Sequence, residues 1–409
     1  MRRLSTAWLA LACLLLASRP AFAADADFRA FLDTLRPEAE ARGVSPATFD
    51  AVTRDLTPDL SLPDLALPGR PATGAAQAEF TQTPAAYLSE RSLQNLAGRG
   101  RGLLQQHRSP LDAIEARFGV PAPVLLAIWG RETAFGDAKL PHDVLRALAT
   151  QAYAGRRKER FREELLAALK LVEEGRLPPA RRQSSWAGAI GLVQFLPSDY
   201  QRYGSDGDGD GAADIWTSAP DALASAASQL AAKGWRRGRR WAHEVRVPKG
   251  LDCTQADPAL KLPLREWLRR GFAPATGATP ADLGEEVSLL LPAGTGGPAF
   301  LIGANYFVVK EYNFSDLYVL FVGNLADRIA GGGPFATPWP VLPQLSARDI
   351  EELQKRLTDV GFYTGAIDGK AGMATRLSLG RFQTARGLAV DCWPSPAALQ
   401  SLRAAQGTP

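Results

Sequence analysis

Apolar residues recur at helical spacing through most of the chain. Phe161, Leu165, Ala168, Leu169 and Val172 recur at helical spacing beside Arg and Glu, which predicts an amphipathic helix there. Helix dominates from Ser109 to Leu177, and a helix rich in Ala and Ser is expected from about Asp221 to Lys233. From Asp27 to Arg108 the pattern is again helical, interrupted by the Pro/Leu-rich stretch Leu56 to Pro71. That stretch reads as an extended segment pinned across a surface. Residues 245–300 are mixed, and the short apolar runs Val287 to Leu291 and Ala299 to Ile302 predict strands.

The pattern changes character at Gly331 to Pro343, which packs three glycines and four prolines into thirteen residues. Such a run is a linker. Beyond it, residues 344–409 are about the smallest length that makes an independent domain. Ser346 with Asp349 reads as a capping box that opens a helix through Leu353 and Leu357. A turn-rich segment, Gly361 to Gly372, and a second helical pattern, Arg376 to Phe382, follow. The 409 residues are 46% hydrophobic and 22% charged, an ordinary globular balance spread over more than one domain.

At the other end, Arg2 and Arg3, an apolar run from Ala7 to Ala17 and the triplet Ala21, Phe22, Ala23 form the pattern of a secretory leader over residues 1–23. The run is too short to span a bilayer and no later segment is long and apolar enough, so no transmembrane helix is expected. Cys13 weakly resembles a lipoprotein cleavage site, but more apolar sequence follows it, so a lipid anchor is not expected. Removing the leader's three arginines takes the formal charge from +4 to +1, which leaves no electrostatic case for nucleic acid. The mature chain, residues 24 onward, keeps Cys253 and Cys392. The sequence leaves open whether they pair in an oxidising periplasm.

Several chemistries are excluded by search. The three histidines form no H-E-x-x-H, and there is no G-x-S-x-G, Walker loop or G-x-G-x-x-G after a strand. Carboxylates remain. Leu125, Ile128, Trp129 and Glu132 share one helical stripe, which places a carboxyl among apolar residues and favours its protonated form. Pattern alone does not separate a general acid from a glutamate bonded to backbone or arginine at a helix end. Asp137 is a second carboxylate nearby, but Gly136 places it past the helix end.

Residues 206–214 carry aspartates at positions 1, 3, 5 and 9 of an EF-hand, with Gly211 at position 6. Thr217 stands where the usual bidentate glutamate would be. Trp235, Arg236, Arg237, Arg239, Arg240 and Trp241 form a basic aromatic cluster that reads as a polymer-docking patch or a solvated face.

The strings Gly119 to Gly136 (G-V-P-A-P-V-L-L-A-I-W-G-R-E-T-A-F-G), Ser184 to Ser198 (S-S-W-A-G-A-I-G-L-V-Q-F-L-P-S), Asp206 to Trp216, Lys233 to Trp235 and Ala304 to Asn313 together resemble the lytic murein transglycosylases of the membrane-bound B family. The resemblance implies a mainly α (α+β) fold. It comprises a lysozyme-like helical catalytic domain over 24–330 with small added β/α subdomains, a 331–343 linker and a three-helix module. The implied activity is cleavage of the MurNAc-GlcNAc bond of peptidoglycan, without water, to a 1,6-anhydro-MurNAc end. It implies Glu132 as the acid/base and Ser185, Gln194, Phe195, Tyr306, Tyr312 and Asn313 as substrate-binding residues, with Tyr312 a candidate to orient Glu132. Small residues Gly188, Ala189 and Gly191 would let backbone approach a sugar. No catalytic cofactor is implied. A structural calcium is, on Asp206, Asp208, Asp210, Asp214 and Asp221, the last supplied by the pattern of relatives.

Residues Leu353 to Thr375, with Arg381 to Leu388, resemble a peptidoglycan-binding module, which would raise the local concentration of enzyme on an insoluble polymer. The expected partners are peptidoglycan glycan strands and other cell-wall enzymes, in the periplasm. A lysozyme-type hydrolase and a non-catalytic wall-binding scaffold are the alternatives.

Overall fold

The computed structural model describes residues 20–67, 82–276, 280 and 282–405. The leader lies outside them except where the helix Pro20–Ala41 begins. The chain sorts into two compact units: residues 1–75 with 139–202, and residues 76–138 with 203–409.

The first unit is helical. Its helices Pro46–Thr53 and Val144–Ala154 are started by side chains that accept backbone N–H groups, Ser45 from Thr48 and Asp143 from Arg146, which satisfies donors a helix start leaves open. The expected amphipathic helix runs Lys158–Glu173, with Phe161, Leu165, Ala168 and Leu169 buried. Residues 56–67 carry no helix and are pinned as expected. Thr150 Oγ1 accepts the Asp59 N–H at 2.9 Å, Gln151 Nε2 donates to the Pro63 carbonyl at 2.8 Å, and Leu65 bridges Gly155.

The second unit holds the helices Glu90–Gln106, Arg108–Phe118, Ala122–Thr133, Ala219–Ala232, Ala304–Tyr312 and Asp316–Ile329. Its antiparallel sheet has the spatial order 262–263, 286–290, 299–302, 242–246, 273–274. Both predicted strands lie in it, as Glu286–Leu290 and Ala299–Ile302. The expected mainly helical class with a small sheet is the one observed.

The same unit contains the three C-terminal helices Ala347–Asp359, Met373–Ala385 and Pro396–Ala405. The capping box is present: Ser346 Oγ accepts the Asp349 N–H while Asp349 accepts the Ser346 N–H. Leu353, Leu357, Tyr363, Leu379, Phe382, Leu399 and Leu402 close a separate core. Cys392, however, belongs to the sheet's core with Trp267, Val287 and Leu301, and a disulfide joins it to Cys253. Arg381 pairs with Asp257 at 3.1 Å, and the Thr295 N–H donates to the Asp391 carbonyl at 3.1 Å.

Residues 331–343 carry no helix or strand, yet they are not loose. The Phe335 ring meets Phe300 edge-on at 4.9 Å, and the Glu244 carboxylate accepts the N–H groups of Ala336 and Thr337.

Candidate active site

Glu132 stands on the last turn of Ala122–Thr133. The helix starts at Pro121, with the Glu115 carboxylate accepting the Ala122 N–H at 3.0 Å. Its end is abrupt: Ala134 (φ 49°), Phe135 (φ 61°) and Gly136 (φ 92°) are all left-handed, a costly conformation for the two that carry side chains. The turn folds Phe135 back onto the helix. A Cβ on Gly130 would lie 2.7 Å from the Phe135 ring, so only glycine fits there, and the ring meets Trp129 edge-on at 5.5 Å. The stretch W-G-R-E-T-A-F-G thus builds a rigid helix end around the half-buried Glu132.

The apolar stripe that singled out Glu132 in the sequence is not a stripe in the fold. Leu125, Leu126, Ala127 and Ile128, four successive residues, are all fully buried, so this is a core helix with no polar face. What marks Glu132 is its partner. The Tyr318 hydroxyl donates to Glu132 Oε1 at 2.5 Å. Burial, and then the neighbouring Glu132 charge, push the Tyr318 phenol well above its ordinary range, so it remains a donor at any working pH. Tyr312 stacks on Tyr318 with centroids 6.3 Å apart and planes 8° from parallel. Arg131 is committed to Tyr87, whose hydroxyl oxygen accepts its Nε at 3.0 Å and its Nη2 at 2.6 Å. Asp137 sits at the exposed surface, paired with Arg99 at 2.8 Å.

Tyr318, whose hydroxyl bonds Glu132, is a residue that the sequence reading left unassigned beside the Tyr312 it named. Nothing local could have identified it, because Tyr318 is 186 residues from Glu132. Asn313 caps its helix, and its Oδ1 accepts the Ser315 N–H at 3.1 Å. Tyr306 does not line a cleft. It is wholly buried, its hydroxyl donating to Asp316 Oδ1 at 2.7 Å.

In the first unit, Ser185 and Gln194 are partly exposed within a tight loop. Ser185 Oγ accepts the Ala189 N–H at 3.1 Å, and left-handed Gln194 (φ 54°) donates from Nε2 to the Gly191 carbonyl at 3.0 Å. Phe195, also expected at the cleft, is 1% exposed. Gly188 is small because Leu148 presses on it: a Cβ there would lie 2.3 Å from Leu148. Packing, not sugar approach, demands that glycine.

In the aspartate loop, carboxylate oxygens of Asp206, Asp208 and Asp210 converge within 4.8 Å of one another, and Gly209 and Gly211 make the turn with φ of 85° and 93°. Three converging hard oxygens suit a cation such as calcium. Asp214 and Asp221 hold the loop's backbone beside this cluster. Asp214 Oδ1 accepts N–H groups of Trp216 and Thr217, while fully buried Asp221 accepts those of Gly207 and Asp214, each at 2.8 Å.

The basic aromatic cluster is largely occupied. Arg237 donates to the Glu115 and Ala116 carbonyls, Arg239 pairs with Asp282, Arg240 pairs with Asp327, and Trp241 is 5% exposed. These contacts tie much of the cluster to its own fold.

Residues 27–327 match the family model described as a transglycosylase SLT domain, and residues 346–402 match a putative peptidoglycan binding domain. The chain is 31% identical over 249 residues to the membrane-bound lytic murein transglycosylase B of Escherichia coli (strain K12), an alignment that covers 60% of this chain and 65% of that relative. It thus spans slightly less than two thirds of that relative's length. The crystal structure of SltB3 from Pseudomonas aeruginosa, in complex with NAG-anhNAM-pentapeptide, is 40% identical, with a TM-score of 0.82 over 92% of this chain and 99% of that one. The Escherichia coli lytic transglycosylase Slt35, in complex with calcium, is 25% identical, with a TM-score of 0.59 over 76% of this chain and 94% of that one.

Proposed function

The chain belongs to the family defined by the transglycosylase SLT domain, and from that premise we propose that it is a lytic transglycosylase acting on peptidoglycan, with Glu132 as its single acid/base. The observation that carries this reading is the Tyr318 hydroxyl held on the half-buried Glu132 carboxyl at 2.5 Å inside the matched domain.

In the first step the Glu132 carboxyl gives its proton to the glycosidic oxygen as the C1–O bond breaks, and GlcNAc leaves as an alcohol. In the second, the Glu132 carboxylate takes the proton of the sugar's own 6-hydroxyl, whose oxygen bonds to C1. The product is 1,6-anhydro-MurNAc, no water is consumed, and Glu132 ends protonated as it began. A second carboxylate, which ordinary glycosidases need for a nucleophile or a bound water, has no place in this scheme. The surface pairing of Asp137 with Arg99 accords with that. Tyr318 orients the carboxyl and stabilises its charged form between the steps.

Ser185, Gln194, Tyr312 and Asn313 are proposed to contact substrate. The C-terminal domain is proposed to hold murein, and the protein to work in the periplasm after loss of its leader. No helix among the described residues is long and apolar enough to cross a membrane. Asp206, Asp208 and Asp210, with Asp214 and Asp221 of the same loop, are the residues that would hold a calcium ion, which would staple the loop and take no part in the chemistry.

Digestion of purified sacculi with the mature protein, followed by mass spectrometry of the released muropeptides, tests the reading. Products lighter by one water at MurNAc are expected. Reducing ends would identify a hydrolase of the same bond, and intact sacculi a binding scaffold.

A further inference from the structure

A side chain of the C-terminal domain reaches the start of the helix that carries Tyr318. Arg376, on Met373–Ala385, is 8% exposed and donates from Nη2 to Asp316 Oδ2 at 2.8 Å. Asp316 is the first residue of the helix that carries Tyr318 two positions later. Its other oxygen, Oδ1, accepts the Tyr306 hydroxyl at 2.7 Å and the Lys310 ammonium. The first turn of the Tyr318 helix is thus clamped from two sides, by Tyr306 and Lys310 of the preceding helix and by Arg376 of the C-terminal domain.

An anchor used only to attach two domains could sit anywhere on their shared surface. Exposed pairs such as Arg381–Asp257 do that, with the arginine side chain 52% exposed. Arg376–Asp316 differs in being buried on both sides, 9% and 7% exposed, and in seizing the one turn from which the hydroxyl on Glu132 projects. Displacements near 1 Å at a reacting group can change a rate by about a hundredfold.

We propose that Arg376 is a positioning residue for the reaction. By fixing Asp316 it fixes the start of the Tyr318 helix and hence the hydroxyl that orients Glu132, so the C-terminal domain is part of the catalytic scaffold as well as a wall-binding attachment. This rests on the reading of Glu132 as the acid/base. Lys310 stays beside Asp316 when Arg376 is removed, so the buried carboxylate keeps a charged partner and the variant keeps its fold.

The test uses the full mature chain with a short soluble murein glycan, whose cleavage needs no attachment to sacculi. Arg376→Met lowers kcat about five- to tenfold, with KM and sedimentation with sacculi within twofold of the parent, and Arg376→Lys restores most of the kcat. Because Arg376 acts through Tyr318, adding Arg376→Met to Tyr318→Phe costs less than a further twofold. Arg403→Ala, which breaks a pair with Glu352 inside the C-terminal domain, leaves kcat unchanged.

A kcat for Arg376→Met within twofold of the parent, full additivity with Tyr318→Phe, or an equal loss in Arg403→Ala each overturns the inference. Should Arg376→Met lack a cooperative thermal transition, Arg376→Gln is judged by the same criteria. Glu132→Gln run in parallel separates the two levels. Cleavage by that variant overturns the acid/base assignment and this inference with it, whereas an inactive Glu132→Gln beside a fully active Arg376→Met overturns only the role of Arg376.

Discussion

The Glu132 site and the aspartate loop are both built from carboxylates, but they are held in opposite ways. In the loop, the partners of Asp206, Asp208, Asp214 and Asp221 lie within fourteen residues along the chain. Its shape is a local agreement between aspartates and the backbone N–H groups of neighbouring turns. Glu132 instead depends on a hydroxyl 186 residues away, carried by a helix whose first turn is gripped by a different domain. A local cluster can fold alone and fail alone. A site assembled over such distances inherits the state of everything between.

The sharpest way to break this comparison is at Glu132. Glu132→Gln keeps the size of the side chain but cannot pass the proton, so kcat on soluble glycan falls about 10³-fold or more while sedimentation with sacculi is retained. Next comes the loop. Asp221→Ala strands the two or three part-buried N–H groups that its carboxylate holds and lowers stability by about 1–2 kcal/mol in denaturant unfolding, while kcat at 25 °C stays within twofold. A comparable fall in kcat would show the loop to be coupled to the site after all.

The third prediction concerns acid. Burial pushes the Asp316 carboxyl upward, but the charges of Lys310 and Arg376 outweigh it and hold the group at about 2. A depressed carboxyl stabilises the fold above its ordinary range near 4 and stops doing so as pH falls from there towards 2. About 2 kcal/mol is lost in that window, and Arg376→Met, whose carboxyl is depressed less, loses less of it. Melting temperatures from pH 5 down to pH 2 check both. The smallest effect belongs to Tyr318→Phe, which lowers kcat about tenfold, roughly the worth of one good hydrogen bond to a charged group, with KM little changed.

The same contrast explains what could be read from the sequence. The Ser346 capping box, the strands at 286–290 and 299–302 and the amphipathic helix around Phe161 are local patterns, and each appears in the structure. Glu132 was legible only by resemblance, since the stripe on which it seemed to lie is one side of a helix buried all round. Tyr306 and Phe195 were named for a cleft by resemblance alone. Their burial follows from packing that no spacing encodes. Tyr318 and Arg376 carry no motif at all. Each is marked only by what the fold brings to it, and Asp316, the residue that joins them, looks in the sequence like an ordinary helix-start acid.

The disulfide between Cys253 and Cys392 joins residues 139 apart in sequence. Contacts hold the folded form together, but a cross-link of that span works chiefly on the other side of the balance, by shrinking the number of shapes open to the chain when it comes apart. For a loop of this length that amounts to about 5 kcal/mol at 25 °C on the chain-entropy account. Opened by heat or acid, the oxidised chain stays a closed ring whose two ends of the interface cannot drift away, and it searches far fewer arrangements on the way back than the same polypeptide bearing two free thiols.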